Sequence, residues 1–378
     1  MKNTIDLYGL TEKEMREAFK ALGYPAFRGS QVFKHLYEPQ TAESHSAEFV
    51  ESPGAAPQSV FTDMTDLPKE MREELAAREV GVEEQIDEVT AGGIKISAQL
   101  PQVLERQVAK DGTCKYLFGL ADGEAIEAVF MKYEYGNSLC VSSQVGCRMG
   151  CRFCASTRRG LVRDLTAAEM VGQVLAAERD RGEPVGHIVI MGIGEPFDNY
   201  ENVGRFLDVL HEPKGKNMSY RNMTVSTCGL VEKIRAFGDD HPTVNLAISL
   251  HAPNDELRKK TMPVANRYTV AEIVEACRAH AEKTGRRVTY EYALIKDVNA
   301  TKEAVSELAD LLRGTLCHVN LIPLNEVEES EFHGITRQEA EDIAAYLTAH
   351  GVPATVRRSL GRDIDAACGQ LRSKAEQR

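Results

Sequence analysis

From Ser138 onward the chain alternates between short apolar runs and capped amphipathic stretches, and that alternation leaves few folds open. Runs at 138–143, 187–191, 222–226, 244–250, 287–295, 318–323 and 354–358 read as strands. Between them, helices are predicted at 166–181, 199–211, 231–237, 254–260, 269–284, 301–313 and 336–350. The first opens on a capping box, Thr166-Ala-Ala-Glu169. Strands joined by helical crossovers pair in parallel. Seven strand segments make about six strand–helix units, which suffices for a partial (β/α)6 barrel spanning 138–360 in an α/β chain. Such barrels do their chemistry at the C-terminal strand ends.

The segments before the barrel read differently. A capping box at Thr11-Glu-Lys-Glu14 opens a helix to about Leu22, and 28–37 and 68–79 are also helical. They predict a small helical N-terminal domain over 1–90. It is interrupted at 39–60 by a Ser-, Pro- and Ala-rich insertion with the composition of a flexible loop. A β-meander extension follows at 91–137. Its strands are expected at 103–110, 114–120 and 125–133, with hairpin turns at Asp111-Gly112 and Asp122-Gly123.

The first barrel strand runs into Cys140-Val-Ser-Ser-Gln-Val-Gly-Cys147-Arg-Met-Gly-Cys151-Arg-Phe-Cys154. Its last three cysteines are spaced C-x3-C-x2-C. A structural zinc site closes with four ligands, often as two short Cys/His pairs. Three thiolates in one tight loop instead suit a [4Fe–4S] cluster with one iron left open. A zinc site recruiting Cys140 as fourth ligand is the alternative.

Nine cysteines, an odd number with three in a metal-type loop, fit a reducing cytoplasm better than a disulfide framework. No apolar run is long enough for a membrane span. The net charge of −12 argues against bulk attraction to nucleic acid. That charge is uneven, because residues 1–100 alone carry −8. Basic clusters lie elsewhere: Arg148, Arg152, Arg158, Arg159 and Arg163; Lys214, Lys216 and Arg221; Arg258, Lys259 and Lys260; Arg357, Arg358 and Arg362. Each could rim a phosphate site or form a solvated face.

Several strand ends carry polar groups that could face a ligand. Met191-Gly-Ile-Gly194-Glu195-Pro196 puts two glycines and a carboxylate after the second strand. Ser226 ends the third, Ser249-Leu250-His251 the fourth, and Asn325 follows the sixth. Cys114, Cys228, Cys277 and Cys317 sit in or beside predicted elements and read as packing residues. Cys368, in the tail Gly361-Arg-Asp-Ile-Asp-Ala-Ala-Cys368-Gly-Gln-Leu, does not.

The cysteine loop and the Gly-Ile-Gly-Glu-Pro turn resemble the radical S-adenosylmethionine (SAM) enzymes. Together with Glu127, Phe153-Cys-Ala-Ser-Thr157, Val225-Ser-Thr, Ala247-Ile-Ser-Leu-His-Ala-Pro-Asn254, His318-Val-Asn-Leu-Ile-Pro and Asp363-Ile-Asp-Ala-Ala-Cys-Gly-Gln-Leu371, they resemble the RlmN branch of the RlmN/Cfr family nearly end to end. The 39–60 insertion is a departure. The resemblance implies a radical SAM RNA methyltransferase acting at adenine C2 in 23S rRNA and in tRNA. It implies one [4Fe–4S] cluster on Cys147, Cys151 and Cys154 and two SAM molecules per turnover. Gly194, Glu195, Ser226, Ser249, Leu250, His251 and Asn325 then match SAM-contacting positions. Cys368 becomes the methyl carrier, whose methylene radical adds to C2. Cys140 resolves the RNA–protein adduct through a transient disulfide, and Glu127 is the proton acceptor. The resemblance further implies an electron donor such as flavodoxin, a monomer and a cytoplasmic location. Two other readings stay open: the C8-specific Cfr branch, and a radical SAM enzyme acting on a small molecule.

Overall fold

Strand alternation and two tight turns build one ten-stranded sheet. The structure is a computed structural model describing residues 4–38, 59–80, 94–324, 332–358, 360–361 and 364. Strands Gln102–Val108, Cys114–Gly119, Ala125–Tyr133 and Gly136–Cys140 form an antiparallel meander. Gly136–Cys140 is the junction, since its other edge pairs in parallel with His187–Ile190. Met223–Thr227, Asn245–Ser249, Val288–Leu294, Cys317–Pro323 and Ala354–Val356 continue the parallel series in chain order. Helices separate the parallel strands, so this is the partial barrel of the sequence reading, with element ends displaced by no more than three residues.

The meander turns follow from their residues. Asp111 Oδ1 accepts from Thr113 N at 2.9 Å and Asp122 Oδ1 from Glu124 N at 3.1 Å, while Gly112 and Gly123 take φ of 85° and 84°. Strand directions place the 120–124 turn at the C-terminal edge of the parallel strands and the 109–113 turn at the opposite edge. The Ala167–Arg181 helix forms its predicted capping box, with Glu169 N donating to Thr166 Oγ1 at 3.2 Å. Glu12–Ala21 starts the same way at Thr11. Asn199 stands directly before the fifth helix, Tyr200–His211. Its side chain does not cap Tyr200–His211. Instead Nδ2 donates to Ser143 O at 2.8 Å and Leu165 O at 2.7 Å.

Alternate strand residues point to opposite faces. Ile126, Ala128, Phe130, Leu139, Val141, Ile188, Ile190 and Val225 enter the main core beneath the helices. Each large side chain fully buried there contributes about 1.5–3 kcal/mol. That core runs on without a break into Leu7, Phe19, Val32 and Phe33 of the N-terminal helices. Arg205 Nε donates to Gly9 O at 2.6 Å and Lys214 pairs with Glu12 at 3.0 Å across the same seam. The opposite, inner face carries a second, smaller cluster: Val129, Met131, Cys140, Ile193 and Leu360.

Two short sheets escaped the sequence reading. Thr4–Asp6 pairs with Lys95–Ser97 in parallel, and Gln144–Gly146 pairs with Leu161–Asp164 antiparallel. Most of the 39–60 insertion lies outside the described residues, and of the 361–378 tail only Gly361 and Ile364 are described. No described helix is long and apolar enough to cross a membrane.

Candidate active site

The cysteine loop is the tip of the Gln144–Gly146/Leu161–Asp164 hairpin, at the C-terminal edge of the barrel strands. Cys147 N donates to Gly160 O at 2.9 Å and closes its neck. Gly146 takes φ +74°, and a Cβ there would collide with that same Gly160 carbonyl oxygen. At the tip, Thr157 Oγ1 donates to Cys151 O and Cys154 O at 3.2 and 3.0 Å. Arg152 N reaches Thr261 O at 2.9 Å, and the Phe153 ring meets His251 edge-on at 5.0 Å. The loop is therefore fixed by backbone and polar contacts of its own.

The second strand-end loop packs directly against it. Ser143 N and Gln144 N both donate to Ile193 O, at 2.9 and 3.1 Å, and Ile193 N donates to Ser142 Oγ at 2.9 Å. Gln144 Oε1 accepts from Glu195 N at 2.8 Å, while its Nε2 holds Asp164. Gly194, at φ +113°, has no room for a side chain, since a Cβ would lie 2.7 Å from Gln144 Cβ and Ser143 Oγ. Glu195 is 3% exposed. Its two oxygens accept from Phe197 N at 2.9 Å and Cys228 N at 2.7 Å. Burial pushes its carboxyl up, and these N–H donors oppose the rise. The Thr227 hydroxyl and the Cys228 thiol add side-chain hydrogen bonds to the same carboxylate.

The third and fourth strands deliver Ser226, Ser249, Leu250 and His251 to the same edge. His251 is held in left-handed backbone at φ 56°. Its Nδ1 accepts from Ala293 N at 2.9 Å and its carbonyl from Asn299 Nδ2 at 2.7 Å. With Nδ1 an acceptor, the neutral ring carries its proton on Nε2 as a donor. Burial, then the nearby Arg258 charge, depress its pKa to about 3. Between pH 6.5 and 3 the unfolded chain binds a proton that the folded chain refuses, so stability falls as pH drops through that window. Urea unfolding at pH 6.5 and 5 should show a loss of about 2 kcal/mol from this ring, absent in His251→Asn. Equal losses in both proteins would remove His251 as the cause.

Sequence reasoning missed Arg258. It read there as one of three surface cations, yet the side chain is fully buried. Its guanidinium donates to Leu250 O at 3.1 Å and to Cys228 O, tying the third and fourth strand ends together. Arg258→Met would leave those carbonyls without donors and should cost about 2–4 kcal/mol in chemical denaturation. A loss below about 0.5 kcal/mol would mean that water replaces the guanidinium. Much of the basic rim is likewise engaged internally. Arg148 pairs with Asp198, Arg159 with Glu124 at 2.6 Å, and Arg163 with Asp122 and Glu169 at 2.6 and 2.7 Å. The last two lock the cysteine hairpin to the meander turn.

On the inner face, Cys140 is 5% exposed and lies opposite Val129. Glu127, two residues from Val129 on the same face, is 2% exposed. The site so built gathers Cys147, Cys151, Cys154, Gly194, Glu195, Ser226, Ser249, Leu250 and His251 along one edge, with Cys140 and Glu127 on the adjoining inner wall. Asn325 and Cys368 lie outside the described residues.

The donor set suits an iron–sulfur cluster. It is three thiols on one hairpin tip, Cys147, Cys151 and Cys154. Tetrahedral zinc at 2.3 Å from each thiolate would require sulfurs within about 4 Å of one another. A four-iron cube gives each thiolate its own iron and spreads them wider. Burial pushes the Cys147 thiol up to about 12 and Cys151 higher still, with the neighbouring cysteines adding to the rise, so loading metal must displace protons. Two buried polar atoms here, Ser143 Oγ and Arg258 Nη1, have no hydrogen-bond partner among the described residues.

A cysteine hairpin and a glycine-carboxylate turn on a partial barrel define a radical SAM enzyme, and residues 141–312 match the Radical SAM superfamily. A radical SAM methyltransferase from Sphaerobacter thermophilus superposes with a TM-score of 0.84 at 42% identity, covering 97% of this chain and 99% of that one. Proteins of Clostridium perfringens and Clostridioides difficile, each named a probable dual-specificity RNA methyltransferase RlmN, are both 45% identical. The alignments cover 98% and 99% of this chain and 97% and 99% of theirs. The chain belongs to the RlmN family of radical SAM methyltransferases, enzymes that use a [4Fe–4S] cluster and SAM.

Proposed function

We propose that this chain methylates C2 of an unpaired adenine in 23S rRNA, and of an adenine in tRNA, with Cys368 carrying the methyl group. One observation supports this most. Leu360 packs into the inner-face cluster around Cys140, and Gly361 N donates to Asp111 Oδ2 at 2.9 Å. The tail is thus moored on the inner face, with Leu360 in the cluster that holds Cys140 and Gly361 at the 109–113 turn. From Gly361 the seven residues to Cys368 span at most about 25 Å. That reach covers the inner wall, so two sulfurs distant in sequence can meet.

Cys147, Cys151 and Cys154 would hold the cluster, and Gly194, Glu195, Ser226, Ser249, Leu250, His251 and Asn325 would bind SAM. Together the two cofactors, with an electron donor such as flavodoxin, supply a carbon radical able to take hydrogen from an unactivated methyl group. C2 of adenine is electron-poor and lacks a nucleophilic lone pair, so direct displacement on SAM fails there. Cys368 presents its methyl carbon to C2 and is joined to the RNA. Glu127 accepts the proton leaving C2, and the odd electron left on the adduct would return to the cofactor pair. Cys140 Sγ, as a thiolate, then attacks Cys368 Sγ and breaks the bond from that sulfur to the methylene carbon. The carbon leaves with the electron pair and takes up a proton to become the methyl group of the released base, and a disulfide remains for later reduction. The adenine must be unstacked to reach an inner wall.

The carrier assignment has its own test. Protein given SAM with a deuterated methyl group should return that label on the tryptic peptide containing Cys368. Label on another residue, or on none, would overturn it.

A further inference from the structure

We propose that Lys115 is a positioning residue for the proton-transfer step, holding Glu127 as a carboxylate within an otherwise dehydrating wall. The proposal rests on the role given to Glu127 above. Lys115 Nζ lies 2.9 Å from Glu127 Oε1, with the two side chains 5% and 3% exposed. The register explains the contact. Leu117 stands directly opposite Glu127 and Lys115 opposite Val129, so Lys115 is the diagonal neighbour of Glu127 on the inner face.

A pair so buried is costly to maintain, and apolar residues of like size could fill the space at equal or better stability. Structure alone does not require it. Burial by itself favours the neutral acid, which cannot accept a proton. An ammonium at contact distance reverses that preference. Among the described residues, the charged side chains that share a recess with Glu127 come from two strands. Glu105 comes from the Gln102–Val108 strand and Lys115 from Cys114–Gly119, while Gly136–Cys140 offers only the Cys140 thiol. Lys115, Glu127, Leu117, Glu105 and Gln107 line one recess of about 220 Å³ including its open mouth. Lys115 and Glu127 are its buried base, and Glu105 is exposed. That volume is below what a nucleotide needs. It gives water a path by which a proton accepted at Glu127 leaves toward solvent.

The experiment compares methylated-adenosine formation against pH in the wild type, Lys115→Met, Lys115→Arg and Glu127→Gln, with 5′-deoxyadenosine measured in parallel. Lys115→Met should shift the acid limb of the profile upward by at least one pH unit while 5′-deoxyadenosine still forms, and Lys115→Arg should restore it. An unshifted limb in Lys115→Met, with Glu127→Gln inactive, would overturn the role of Lys115 and leave that of Glu127 standing. Full activity in Glu127→Gln would overturn both. If Lys115→Met does not fold, carboxyl ¹³C spectra of the wild type minus Glu127→Gln decide the matter. Glu127 ionised at neutral pH agrees with the proposal, and Glu127 protonated there contradicts it.

Discussion

Gly146→Ala should strip the protein of iron although all three cysteines of the loop remain. The glycine sits at the neck of the cysteine hairpin with φ +74°, and its would-be Cβ points into the Gly160 carbonyl. A left-handed alanine costs about 1–2 kcal/mol by itself. The clash adds to this and must be relieved by opening the bond from Cys147 N to Gly160 O. Cys147 then moves relative to Cys151 and Cys154, which stay tied through Thr157. Loss of support around metal ligands typically weakens loading about 10–100-fold. Iron and sulfide analysis after anaerobic reconstitution checks this, with Cys151→Ala as the fully depleted reference. Iron content equal to the wild type would show that the hairpin neck does not set the cysteine geometry.

Cys140→Ala should trap the RNA on the protein. If Cys140 resolves the adduct, its removal leaves the first half of the reaction intact and blocks release. A covalent RNA–protein species should accumulate under SAM and reductant, visible as a shifted, nuclease-sensitive band. Cys368→Ala should form no such species and should lose RNA methylation altogether. Cys140 is also part of the small cluster with Val129, Met131, Ile193 and Leu360, so the alanine removes some packing. A cavity that small costs about 1–2 kcal/mol and does not by itself produce an adduct. Free, fully methylated RNA from Cys140→Ala would contradict the assignment.

The barrel was legible in the sequence because short apolar runs alternate with amphipathic stretches, several of which carry their own caps. Thr166-x-x-Glu169 and the Asp-Gly turns carry their geometry locally. The cysteine loop was legible for the same reason, since its spacing is a short-range property. The hairpin that bears it was not. Gln144–Gly146 and Leu161–Asp164 are three and four residues long, polar in part, and separated by the loop. Their pairing depends on Gln144 and Asn199 reaching across to other strand ends. Arg258 illustrates the same limit. Within Arg-Lys-Lys it looks like a solvated face, and only contacts with Cys228 and Leu250 reveal it as a buried strut. Arg148, Arg159 and Arg163 of the cysteine hairpin looked like part of a phosphate rim or a solvated face and became ion pairs with carboxylates from the second loop and the meander. Lys115 left a trace in hindsight: a cation at a buried strand position, one step along the same face from Leu117.

The most direct test of the account is an anaerobic reaction of the reconstituted protein with SAM, a reductant and a 23S rRNA fragment, and in parallel with tRNA. The digested nucleosides are resolved by mass spectrometry against 2-methyladenosine and 8-methyladenosine. The account predicts a 2-methyladenosine peak that disappears in Cys368→Ala. An 8-methyladenosine peak, or 5′-deoxyadenosine with no methylated adenosine from either RNA, would contradict it.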